Sequence, residues 1–67
     1  MEYGKELLEY RAKHNLTQSQ LGEILGVGTV MIHRYEKGVS KPSEVNRIRF
    51  AQKMFDYDYK SKREGGQ

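Results

Sequence analysis

Apolar residues recur at helical spacing in four stretches of the chain, and polar or glycine-containing breaks separate them. In GKELLEYRAKH, Leu7, Leu8, Tyr10 and Arg11 hold that spacing behind Tyr3, which predicts a first helix ending near His14 and Asn15. A second begins at TQSQLGEIL: Thr17 is a favourable N-cap, Gln20 completes a capping box, and Leu21 with Leu25 makes the i, i+4 inner stripe. Gly26 ends this helix, because glycine takes the left-handed conformation after a helix without a Cβ penalty. Only Gly26, Val27 and Gly28 then precede a third run, Thr29 to Lys37, bounded by Gly28 and Gly38. A glycine-rich turn this short joins two helices at a steep angle, the helix-turn-helix arrangement. VSKPS reads as a loop, and from Ser43 a fourth helix is expected with Val45, Ile48, Ala51 and Met54 or Phe55 facing inward. After Phe55 the apolar period is lost in DYDYKSKREGGQ. Residues 56–67 therefore read as a polar, fraying tail to a domain spanning 1–55, with Tyr57 and Tyr59 its only candidates for packing.

The third run carries Val30, Met31 and Ile32 in a row, and a helix can hide only one stripe against a small core. At about 100° per residue, with Ile32 at zero, Tyr35 lies at about −60° and Gly28 at about −40°, on the core side. Val30 lies at about 160°, between Lys37 at about 140° and Arg34 at about 200°. His33 lies at about 100° and Thr29 at about 60°, toward the flank. Met31 falls on the other flank. A single exposed valine means little, but its neighbours offer a hydroxyl, an imidazole nitrogen and a guanidinium on the same ridge. Thymine methyls, guanine O6 and N7, and adenine N7 in the DNA major groove are the complements of that set. The helix N-terminus beside them suits phosphate oxygens.

Charge supports a polyanion footprint. The net charge is +3, but residues 1–36 carry −1, residues 37–53 carry +4 through Lys37, Lys41, Arg47, Arg49 and Lys53 against Glu44, and residues 54–67 balance. Sixty-seven residues make one small domain, too small for a second domain to build a large cleft. No cysteine is present, which removes disulfides, thiolate metal sites and thiol nucleophiles. The opening MEYGKELLEY has no signal-peptide pattern, and no apolar run approaches the roughly 20 residues that cross a bilayer. A cytoplasmic protein that makes no membrane contact is expected.

The stretch LTQSQLGEILGVGTVMIHRYEKGVSKPS resembles the Cro/repressor-type (XRE) helix-turn-helix family of phage and bacterial regulators. Leu16, Thr17, Gln18, Leu21, Leu25, Gly26, Val27, Ile32, Tyr35, Glu36, Gly38, Pro42 and Ser43 match its pattern in register, and the resemblance spans about residues 5 to 55. It implies an all-α, compact four- to five-helix bundle of the lambda repressor-like DNA-binding type. It also implies that Thr17 and Gln18 grip the DNA backbone, with Gln18 within reach of a base edge. Thr29, Val30 and Arg34 match base-reading positions, with His33 beside them, and Lys37, Ser40 and Lys41 match a loop lying along phosphates. Arg11 and Glu36 match a pair that in some members forms an internal salt bridge. This chain departs from the pattern at Gly22, where alanine is usual, and at Gly28, where a polar cap is usual. It also shows no clear counterpart of the fifth helix through which many members pair.

The function these residues imply is that of a sequence-specific double-stranded-DNA-binding transcriptional regulator. It is expected to be a repressor of phage, plasmid or mobile-element type, acting in a prokaryotic cell or phage-infected host as a homodimer on a palindromic operator. The competing interpretation is an antitoxin-like or protein-interaction module on the same fold, with MFDYDY as its contact, and RNA is a second possible polymer. Ser19, Ser40, Ser43 and Ser61 stand in no recognisable order with a histidine and an acid, so no enzyme is expected. His14, His33, Asp56 and Asp58 do not converge as ligands, so neither metal nor cofactor is expected. His14 reads as structural, near a helix end. Arg47, Arg49 and Lys53 read as the wet face of the fourth helix in preference to phosphate contacts.

Overall fold

In a computed structural model the backbone is described for residues 3–65 and the side chains for residues 3–62. Four α-helices account for nearly all of it: α1 (Tyr3–His14), α2 (Gln18–Leu25), α3 (Thr29–Lys37) and α4 (Glu44–Gly65). The first three end where the apolar pattern ends. Asn15 adopts φ 57°, a left-handed conformation that closes α1. Thr17 caps α2 through its hydroxyl, which accepts from the Gln20 backbone N–H at 3.0 Å, while Gln20 Oε1 accepts from the Thr17 N–H at 2.9 Å. This reciprocal box satisfies two donors that would otherwise lack partners at the helix start. Gly26, at φ 77°, turns the chain out of α2.

The turn itself depends on Gly22. A Cβ there would stand 2.6 Å from the carbonyl oxygen of Val27. The Val27 N–H donates to the Gly22 carbonyl at 2.9 Å, so turn and helix lie backbone against backbone. Gly28, by contrast, is exposed, and a Cβ on it would meet nothing within 4 Å. The helical wheel, extended to Gly28, sets it on the core side, but it is the residue before the helix, with extended backbone, and the wheel does not apply to it.

Leu7 of α1, Leu21 and Leu25 of α2, Ile32 and Tyr35 of α3, and Phe50 of α4 form the buried core. Complete burial of each aliphatic side chain contributes about 1.5–3 kcal/mol. Met31, from the flank of α3, packs partly against this cluster. Helix α3 lies against both α1 and α2, and α4 closes the cluster from the α2 side.

Two expectations for α4 are corrected. Its inner side is Phe50 with Met54, the latter one of the residues expected there, whereas Val45, Ile48, Ala51 and Phe55, expected with it, are exposed. The helix carries apolar residues on two opposite faces, and spacing alone does not say which one meets the core. Nor does α4 fray at Phe55: it runs on through Gly65, and only residues 66–67 of the expected tail lie outside the described residues. What extends it is contact with α1. The Tyr10 hydroxyl donates to the Asp58 carboxylate at 3.0 Å and lies 3.2 Å from the Met54 carbonyl. The His14 ring packs edge-on to Tyr57 at 5.4 Å. His14 Nε2 stands 2.7 Å from the same Asp58 oxygen, close enough to pair when protonated though without hydrogen-bond alignment. Burial first, then the bond to Asp58, drives the Tyr10 phenol well above its ordinary value of 10.

Candidate nucleic-acid interface

Helix α3 divides as its spacing requires. Ile32 is fully buried and Tyr35 nearly so, while Val30 is 70% exposed. Thr29, His33, Arg34 and Lys37 are exposed with it, so five of the sequence-predicted site residues share the outer side of one helix. No side chain caps this helix. The Gly28 carbonyl takes the N–H groups of Met31 and Ile32, which leaves those of Thr29 and Val30 as the amides an approaching anion would meet.

At the other end of α3, Gly38 takes φ 78° and its N–H returns to the Arg34 and Tyr35 carbonyls. The Val39 and Ser40 N–H groups follow it onto the Arg34 carbonyl at 3.0 and 3.3 Å. This folds the loop back over the helix end and brings Ser40 beside the Arg34 side chain, whose Nε donates to Ser40 Oγ at 3.2 Å. Lys37, Ser40 and Lys41 border a cleft of about 420 Å³ against Tyr3 and Tyr35. The loop residues expected along phosphates are therefore joined to the helix that carries the expected base readers.

Thr17 and Gln18 stand differently. The Thr17 hydroxyl is engaged as the α2 cap. Gln18 Nε2 donates to Glu36 Oε1 at 2.9 Å, so its amide belongs to an internal cluster. At the centre of that cluster Arg11 grips Glu36 with two parallel bonds, Nε to Oε2 at 2.7 Å and Nη2 to Oε1 at 3.0 Å, and its Nη1 donates to the Leu16 carbonyl at 3.1 Å. The Glu36 side chain is 5% exposed. Burial favours its neutral form, but bonds from Arg11 and Gln18 and the Arg11 charge outweigh this, with a smaller contribution from His33, and hold Glu36 below the ordinary 4.5. The cluster ties α1, the head of α2 and α3 together directly beneath the outer ridge. The resemblance supplied the Arg11–Glu36 pair. Gln18 as its third member carried no signal in the sequence, where the resemblance gives its side chain to the DNA backbone.

The Arg47 guanidinium sits over the Tyr3 ring, 5.6 Å from its centroid, at the α1–α4 junction. Burial pushes the Tyr3 phenol up to about 12. Among the described residues no three His, Asp or Glu side chains converge as a metal site, and no helix is long and apolar enough to cross a membrane.

A family model described as helix-turn-helix matches residues 7–54, which covers all of α1 but its first turn, both α2 and α3, and the N-terminal half of α4. No curated protein and no solved structure gives a significant match.

Proposed function

The chain belongs to the helix-turn-helix family of DNA-binding regulators, and from that premise we propose that it is a sequence-specific repressor reading the major groove of double-stranded DNA with α3. The observation that carries the proposal is the outer ridge of α3, where Thr29, Val30, His33 and Arg34 are all exposed behind a fully buried Ile32. Arg34 supplies a bidentate donor to guanine, and Val30 with the Thr29 methyl meets thymine methyls. Lys37, Ser40 and Lys41, with the unpaired amides at the head of α3, hold phosphates and set the docking register without reading sequence. Thr17 and Gln18 lie at the helix start that crosses the backbone. Thr17 is an N-cap with its backbone near the phosphates, and Gln18 steadies Glu36, so neither side chain is assigned as a primary reader.

One such module reads about four to six base pairs, and each mismatch costs about 1–3 kcal/mol, too little to single out a genomic site. Two copies on a palindromic operator multiply that discrimination, so the active species is a homodimer. Repression follows from occupying the operator.

Binding-site selection from a random duplex pool, repeated with two variants, tests this. Arg34→Ala should relax base preference at one position of each half-site. Lys41→Ala should weaken all sequences alike and shallow the salt dependence by about one unit. Equal, sequence-independent losses from both would remove base reading by Arg34.

A further inference from the structure

Helices α1 and α4 are joined at two levels. At one, the Tyr3 ring lies between Arg47 and Phe50 of α4; at the other, the Tyr10 hydroxyl reaches Asp58 and the Met54 carbonyl. Between these levels a groove of about 610 Å³ opens. Tyr3, Glu6 and Tyr10 of α1 form one wall, and Glu44, Ile48, Ala51, Phe55 and Asp58, recurring every three or four residues along one side of α4, form the other. Ala51 makes the room: it stands in the middle of the α4 row, between Ile48 and Phe55, which are 57% and 71% exposed. Sites for small molecules occupy about 300–1,000 Å³, and the groove is of that size.

Its charge is acidic. Glu6, Glu44 and Asp58 border it against one cation, Arg47, in a chain whose net charge is +3. That sign repels the polyanion which suits α3 and its loop. Asp58 is engaged by Tyr10, whereas Glu6 and Glu44 take part in no ion pair among the described residues. Glu6 stands near enough to the Tyr3 phenol to help raise it. The aromatic wall already seats one cation, the protein's own Arg47.

We propose that this groove binds a small organic cation with an apolar body, an arylalkylammonium in its simplest form. The body lies over Ala51 between Ile48 and Phe55. The ammonium meets Glu6, which is one helical turn from both Tyr3 and Tyr10 on the facing wall. The exposed Phe55 ring adds a second surface on which a cation is favoured. None of these residues is assigned to DNA, so the site stands whether or not α3 reads a duplex.

Titration of the whole isotope-labelled chain with 4-phenylbutylammonium, followed through its amide resonances, tests the proposal. The amides of Glu6, Ala51 and Phe55 should shift together and saturate with a dissociation constant of about 1 mM or below. The uncharged 4-phenylbutanol should bind at least about fivefold more weakly. Glu6→Gln should weaken the ammonium about threefold and leave the alcohol unchanged. Ala51→Leu fills the groove from an exposed helical position, so it should weaken both about tenfold while far-UV circular dichroism stays unchanged. Groove amides that stay still up to about 10 mM ammonium overturn the proposal. Equal binding of ammonium and alcohol overturns the cation as ligand, and binding indifferent to Ala51→Leu overturns the groove as its site. Groove amides that respond to protein concentration and not to the ammonium identify a second copy as the occupant, which also overturns it.

Discussion

Replacing Arg11 by methionine should cost this protein about 3 kcal/mol at pH 7, and the cost should shrink on acidification. The substitution keeps the apolar stem and deletes two charge-assisted bonds to Glu36, at 2.7 and 3.0 Å, together with the bond to the Leu16 carbonyl. It leaves a carboxylate that is 5% exposed with only the Gln18 amide for company. Breaking a buried pair from one side costs about 3–5 kcal/mol. Arg11 is itself 21% exposed, which favours the lower end. Protonation sets a ceiling: neutralising a carboxyl of ordinary value 4.5 at pH 7 costs about 3.4 kcal/mol, at about 1.36 kcal/mol per pH unit. A domain of this length has about 3–10 kcal/mol of stability in all, so the variant would be close to unfolding.

The pH dependence carries the sharper test. In the unmodified protein Glu36 is held below 4.5, so its contribution is complete above that value and is lost as pH falls through the depressed one. In the variant the orphaned carboxyl is pushed the other way, above 4.5, so its stability should rise as pH falls from 7 to 5 while that of the unmodified protein stays level. Urea unfolding followed by circular dichroism reads both, with the midpoint falling by about 2–3 M at pH 7 for a slope of about 1 kcal/mol/M. Adding Glu36→Gln to the variant should recover at least half of the loss. A loss below about 1 kcal/mol, or a variant whose stability fails to rise between pH 7 and 5, would refute the reasoning.

Thr17→Ala should lower stability by about 1 kcal/mol through loss of the α2 cap, and Thr17→Ser should restore it. If urea unfolding shows no loss while duplex affinity collapses, the hydroxyl serves DNA and not the helix. Tyr10→Phe should cost about 1–2 kcal/mol by deleting the bonds to Asp58 and Met54. Because the Tyr10 phenol is raised in the fold, its contribution is full below pH 10 and is lost as pH rises through the raised value. The variant should therefore show a flatter alkaline limb in thermal melts, and an unchanged limb would place the alkaline loss elsewhere.

The helix-turn-helix was legible because its determinants are local. A capping box needs only four residues, a left-handed glycine only one, and the split of α3 into Ile32 and Val30 sides follows from its own spacing. What escaped the sequence depends on partners far along the chain. Asp58 faces inward only because Tyr10 and His14 meet it across more than forty positions, and no periodicity within DYDY announces it, whereas Tyr57 beside it was a candidate for packing and does pack, on His14. The reversal of α4 has the same origin. Two apolar faces are visible in its spacing, and Phe50, flanked by Arg49 and Ala51, gives no local reason to prefer its side. The internal role of Gln18 escaped because the resemblance gave its side chain to DNA, whereas here it completes the shell of a carboxylate eighteen residues away.

The hydrogen bond from Arg34 Nε to Ser40 Oγ bears on the entropy of recognition. An arginine side chain carries about 2 kcal/mol of rotamer freedom, most of which a surface residue forfeits when it is clamped onto a base or a phosphate. Here the bond to Ser40 already restricts the side chain before any ligand arrives, so less freedom remains to be lost at the moment of contact. Its two Nη groups, the ends that a guanine edge or a phosphate would meet, are left to the ligand. The loop from Gly38 to Ser40, itself pinned to the Arg34 carbonyl, thus acts as a splint for the side chain above it.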